Sequence, residues 1–79
     1  MAVNIGAVIQ KTRKKAGLSQ KELADLAGVG KTTVFDIENG KDTVRFANIQ
    51  KLCATLNISL WLRDPFGNES EVENAGKDG

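Results

Sequence analysis

The run Gly28-Val29-Gly30-Lys31-Thr32-Thr33 sets a lysine and two hydroxyls directly behind two glycines. Backbone amides and a cation in that order can cradle phosphate oxygens. A nucleotide-binding loop of the G-x-x-x-x-G-K-[ST] type also requires glycine five residues before Gly30, where Asp25 stands. It needs a preceding strand and a parallel sheet as well, whereas the residues ahead of Gly28 have helical spacing and a chain of 79 residues has no room for the sheet. Other catalytic chemistry has little to draw on. The chain has no His, so neither a Ser/His/Asp nor a Cys/His constellation can be assembled, and it reads as a non-enzyme. Its one cysteine, Cys53, cannot close an internal disulfide, and the absence of His removes a zinc cluster, so no metal or cofactor is expected.

Read as the exposed face of a helix, the same residues suit the edges of base pairs. Lys31 can donate to guanine acceptors or to phosphate, and Thr32 and Thr33 offer hydroxyls and methyls. Phe35 can pack on a thymine methyl, and Asp36 can accept from cytosine or be held by a neighbouring cation. Gln20 and Lys21 begin an earlier helix, whose free amides favour a phosphate, and Lys41 follows the later one. For Lys41, Arg45, Lys11 and Lys14 a solvated basic face is at least as good a reading as contact.

These residues need elements to hold them. Ile5, Val8, Ile9 and Thr12 recur at helical spacing up to Ala16, and Gly17 supplies a stop. Ser19-Gln20-Lys21-Glu22 has the capping-box form and opens a second helix through Leu23, Ala24, Leu26 and Ala27 to Gly28. A third runs from Lys31 to Asn39, closed by Gly40. Asp42 or Thr43 can cap a fourth, with a buried stripe of Phe46, Ile49, Leu52, Cys53 and Leu56. Ala24 is small where two helices must cross, Gly28 permits a positive φ in the turn, and Leu23, Ala27, Val29, Val34 and Ile37 point into a shared core. That is a helix-turn-helix pattern, and it sets the function as binding DNA in its major groove. Arg13 and Glu38 fall on core-facing sides of helices one and three and are predicted to form a structural ion pair. Cys53 belongs to the core as a small hydrophobe.

Ile58-Ser59-Leu60-Trp61-Leu62-Arg63 alternates with period two and reads as a strand; a short fifth helix capped by Ser59 is the other reading. No other segment has strand character, so its partner is expected to be a second copy of the chain, with Ile58, Leu60, Trp61 and Leu62 at the dimer interface. Ten of the eleven basic residues precede Asp64, against five of the ten acids. The domain plan is therefore a basic DNA-binding body at 1–57, a dimerisation strand at 58–63 and an acidic, flexible tail at 64–79. No apolar run approaches the roughly 20 residues of a membrane span, and Met1 to Gln10 lacks a signal-peptide pattern, so a cytoplasmic protein is expected.

Through Arg13 to Ala24 and Val34 to Lys41 the sequence resembles the Xre/Cro family of helix-turn-helix regulators. The match spans nearly all of Asn4 to Asn57. It implies an all-α, lambda-repressor-like bundle of four helices, to which a C-terminal β-strand pairing across a dimer is added. Leu56 to Asp64 is similar to the ending of HipB-type antitoxins, which implies a homodimer that represses its own operon at a palindromic operator and binds a HipA-like kinase toxin. The resemblance maps base reading onto Lys31, Thr32, Thr33 and Asp36, phosphate binding onto Gln20, and the family's Arg–Glu pair onto Arg13 and Glu38. A phage-type repressor without a toxin, and an adaptor that kept the fold but lost DNA, are the alternatives.

Overall fold

The computed structural model describes residues 4–73. Four helices, α1 (Ile5–Lys15), α2 (Gln20–Ala27), α3 (Lys31–Glu38) and α4 (Phe46–Leu56), precede two short strands, β1 (Trp61–Arg63) and β2 (Glu69–Glu71). Positions 1–3 and 74–79, the last part of the predicted flexible tail among them, lie outside the described residues.

Local chemistry marks most of the helix ends. Asn4 Oδ1 accepts from the amides of Gly6 and Ala7 at 2.8 and 3.3 Å and starts α1. The box at Ser19 closes in both directions: the Glu22 amide donates to Ser19 Oγ at 3.0 Å, and the Ser19 amide to Glu22 Oε1 at 2.8 Å. All four helices finish alike, with the amide two residues past the last turn donating back across six residues: Leu18 to Arg13, Val29 to Ala24, Lys41 to Asp36 and Ile58 to Cys53. The residue before each of those amides has positive φ, and Asn57 fills the place taken by glycine in the other three. At Gly28 (φ 75°) this reversal is the turn between α2 and α3.

Helix α4 departs from the sequence reading. Its N-cap is Arg45, without a side-chain cap, rather than Asp42 or Thr43. The chain first makes the Gly40 reversal and then tucks Val44 against the core, and only beyond Val44 is it free to turn helical. The stripe is also narrower than predicted: Leu52 and Cys53 are buried and Ile49 and Leu56 pack at the edge, while Phe46 is 52% exposed.

The core is Ile9, Leu23, Ala24, Val34, Ile37, Leu52 and Cys53, drawn from all four helices. Each large aliphatic side chain so buried contributes about 1.5–3 kcal/mol. Burial also lifts the Cys53 thiol above its ordinary pKa, as suits a group packed as a hydrophobe. Gly6 lets α1 approach α3, because a Cβ there would run into the Ile37 carbonyl.

The strand pairs within its own chain. β1 runs antiparallel to β2, with Trp61, Leu62 and Arg63 opposite Glu71, Ser70 and Glu69, which corrects two expectations. A partner strand does exist in this chain, and the acidic stretch does not lose regular structure at Asp64. Glu69-Ser70-Glu71 has no apolar residue to announce a strand, and both its faces are exposed. It is positioned by its turn, where Asp64 Oδ1 accepts from the amides of Phe66 and Asn68 at 2.8 and 2.9 Å and Gly67 takes φ 89°. These bonds stabilise the charged carboxylate and hold Asp64 below its ordinary pKa. Beyond β2 the Gln50 side chain donates to the Glu73 carbonyl and ties the hairpin to α4. Ile58 and Leu60, predicted for the dimer interface, pack at the edge of this chain's own core, whereas Trp61 and Leu62 are 60% and 67% exposed.

Gly6→Ala should lower unfolding stability by about 1–3 kcal/mol through overpacking against the α3 backbone, read as a lower urea midpoint.

Candidate nucleic-acid interface

Val34, Ile37 and Glu38 are the buried residues of α3. At 3.6 residues per turn they occupy one side, which turns Thr32, Phe35 and Asp36 outward with Lys31 and Thr33 at the margins. A shallow cleft lies on each side of that face. The one toward α2, of about 380 Å³, is lined by Gln20, Lys31, Thr32 and Phe35. The other, of about 190 Å³, lies toward the loop before α4 and is lined by Thr33, Asp36, Lys41, Thr43, Val44, Arg45 and Asn48. The structure thus brings the predicted residues together in two sets. Lys21 stands apart on the exposed side of α2, paired with Asp25 at 3.1 Å.

Neither Thr43, which the sequence offers only as a helix cap, nor Asn48 is among the predicted site residues, and for Arg45 the sequence does not choose between contact and a solvated face. No local pattern marks these three. They reach the α3 face because the chain reverses at Gly40, and that reversal was the one available signal.

Behind the face, Arg13 and Glu38 set the tilt of α3. Arg13 Nε donates to Glu38 Oε2 at 2.6 Å and its Nη2 to Oε1 at 3.0 Å, so the pair is bidentate. Only 7% of Arg13 and 9% of Glu38 is exposed. The remaining Arg13 nitrogen, Nη1, donates to the Leu18 carbonyl at 2.8 Å, and Gln20 Nε2 donates to Glu38 Oε1 at 3.0 Å. The ion pair therefore ties α3 to α1, to the loop ahead of α2 and to the first side chain of α2. Gln20, predicted to bind phosphate, already spends one amide hydrogen on Glu38; its second amide hydrogen remains. Burial alone would raise the Glu38 carboxyl, but the hydrogen bonds from Arg13 and Gln20 and the charge of Arg13 outweigh it and hold the group below its ordinary value. The hydrogen bonding of Arg13 to Glu38 raises the guanidinium pKa further, against the opposing effect of its burial.

Two helices crossing at a glycine turn, the second showing a polar face between two clefts and held from behind by a buried ion pair, define a helix-turn-helix DNA-binding domain. Residues 9–60 match the helix-turn-helix family HTH_3, and the chain belongs to that family of transcriptional regulators. It is 37% identical over 62 residues to the uncharacterized HTH-type transcriptional regulator y4mF of Sinorhizobium fredii, covering 78% of this chain and 82% of that one. Among solved structures it resembles the restriction-modification controller protein C.AhdI of Aeromonas hydrophila, with a TM-score of 0.63 and 38% identity over 71% of this chain and 85% of the other. A chain of a HipA-HipB-O2-O3 complex superposes with a TM-score of 0.71 at 24% identity, over 82% and 94% of the two chains, a likeness of fold. No helix among the described residues is long and apolar enough to cross a membrane.

Glu38→Gln should leave Arg13 buried without a counter-charge and cost about 3–5 kcal/mol. Because the folded carboxyl is held low, its contribution is full above the unfolded value of about pH 4.3 and is lost as pH falls through the folded value. The gap in unfolding free energy between wild type and Glu38→Gln should therefore be widest near pH 6 and shrink as the pH drops below about 4.3.

Proposed function

We propose that this protein is a sequence-specific transcriptional repressor that works as a homodimer on a palindromic operator and regulates its own operon. The outward face of α3 carries the reading, because a cation, hydroxyls and an aromatic ring converge there between two clefts. In this reading α3 enters the major groove with Lys31, Thr32, Thr33 and Phe35 at base edges and Asp36 on the same face. Gln20 and Lys21 from α2, and Lys41 from the loop, meet phosphates on either side.

The dimer follows from the hairpin. Leu60 and Asp64 turn their backbone groups toward the β2 side, the Leu60 carbonyl accepting from Val72 at 2.7 Å and the Asp64 amide donating to the Asn68 carbonyl at 2.9 Å. By the alternation of an antiparallel ladder, the amides and carbonyls of Trp61 and Arg63 lie on the open edge of β1. A second copy added there about a twofold axis would complete those bonds and make a four-stranded sheet. Trp61 and Leu62 are then the interface residues, with Ile58 and Leu60 supporting them from the core. The two copies of α3 would address half-sites about 34 Å apart.

A second reading makes the repressor the antitoxin of a HipA-like kinase toxin. Phe66 favours it, since it lies on the same small hairpin outside the residues given to the dimer and exposes 88% of its surface, leaving apolar area for a protein partner. A phage-type repressor would share the DNA face and lack that partner.

Co-expression with the neighbouring genes, followed by gel shift on the upstream DNA, separates these. A kinase-sized protein that copurifies and joins the shifted complex supports the antitoxin; a shift by this protein alone supports a free-standing repressor, and no shift in either form sinks both. Lys31→Ala should weaken binding to a selected duplex by about 1–3 kcal/mol, and an unchanged affinity would remove its base-reading role. Leu62→Asp should convert the dimer to monomer in sedimentation; persistence of the dimer would overturn pairing through β1.

A further inference from the structure

Asp36 is the one acid lining the loop-side cleft, where its neighbours are Lys41, Arg45, Thr33, Thr43 and Asn48. Two cations and three neutral donors are a set suited to phosphate oxygens. Into that set the protein places its own anion. Lys41 Nζ lies 3.4 Å from Asp36 Oδ2, and the Lys41 amide donates to the Asp36 carbonyl at 3.0 Å through the Gly40 reversal. Backbone and side chain thus fix the same two residues to each other. The Asp36 side chain is only 25% exposed, against 55% for Lys41, so the carboxylate is the seated partner and the ammonium the movable one. Asp36 also lines the cleft opposite the one that Lys31, Thr32 and Phe35 share with Gln20.

We propose that Asp36 is a specificity-determining residue that reads no base: it stands in for a DNA phosphate at Lys41, and that phosphate must displace it when a duplex docks in register. The inference rests on the DNA-binding reading of α3. A solvent-facing ion pair is weak enough to be exchanged. In a correctly seated duplex a backbone phosphate enters the cleft, Lys41 transfers to it, and Arg45 remains to offset the carboxylate. A duplex held out of register leaves Lys41 on Asp36 and sets an acid against the phosphate backbone. Binding to arbitrary sequence is thereby weakened more than binding to the operator, which is discrimination by a repulsive element. The pair also withholds one cation from non-specific contact, so one fewer counterion is released there.

The test compares wild type, Asp36→Asn, Asp36→Glu, Lys41→Met and the Asp36→Asn/Lys41→Met double variant. Each is titrated with two 20-bp duplexes, one selected by the wild type from a random pool and one of random sequence, over 50–200 mM salt. Asp36→Asn should tighten random DNA several-fold and steepen its salt slope by about 0.9, one added phosphate contact. The selected duplex should gain less, so that discrimination falls. Asp36→Glu should restore the wild-type ratio, and in the Lys41→Met background Asp36→Asn should change little. If Asp36→Asn instead weakens the selected duplex, changes preference at one base pair and leaves random DNA alone, Asp36 reads a base and the proposal is overturned. A gain that persists without Lys41 overturns it too, since the acid then acts by bulk charge. Wild type binding neither duplex would overturn the DNA-binding reading along with it; the other adverse results leave that reading standing.

Discussion

Arg13 and Glu38 are full charges with less than a tenth of their surface in water, and the arrangement of the helices depends on their meeting. Removing two ions from solvent costs several kcal/mol each, and attraction between them recovers that only when the geometry is good and the remaining hydrogen-bonding groups are satisfied. Both conditions hold. The guanidinium engages both carboxylate oxygens and spends its third nitrogen on Leu18, and Gln20 supplies the carboxylate with another donor. A tilt of α3 away from α1 would strand a buried charge, so the pair acts as an orientation lock more than as a source of net stability. The surface proposed to face DNA is therefore carried by a helix whose far side cannot slip without large cost.

The second constraint is how the helices stop. Eight- and eleven-residue helices are too short to persist alone and depend on packing, so each must end where the next can begin to cover the core. The repeated reversal, a left-handed residue followed by a bond across six positions, satisfies the last carbonyls and turns the chain sharply. At Gly28 it makes the turn between α2 and α3. At Gly40 it also returns Lys41 to Asp36 and carries Thr43, Arg45 and Asn48 to the margin of the α3 face. A single backbone device thus sets both the angle between the helices and the chemistry beside the exposed face.

Charge placement connects the body to its ending. The basic residues gather before Asp64, and the acids beyond it are partly absorbed by the hairpin, where Arg63 pairs with Glu69 at 2.9 Å across the strands. Being exposed, that pair contributes little to stability. Its place in the ladder matters more, because it helps hold Trp61 and Leu62 at an outward edge that a second chain can extend.

The sequence alone determined the four-helix plan, because the signals behind it are local. The capping box at Ser19, the glycines at 17, 28 and 40, and the apolar spacing through Leu23, Val34 and Ile37 each act within a turn or two of chain. The meeting of Arg13 and Glu38 was legible for a related reason: charges on core-facing positions of adjacent helices have few other partners. The tertiary structure alone decided what depends on distant neighbours. Phe46 is left half exposed and α4 starts late because Val44 takes the core position first. Glu69-Ser70-Glu71 becomes a strand through the Asp64 turn, with no apolar pattern of its own. Asp36 faces Lys41 and Arg45, and Gln20 faces Glu38, only once the helices are packed. Period and capping propagate along the chain over a few residues, whereas the environment of a polar side chain is set by whatever the fold brings to it from elsewhere.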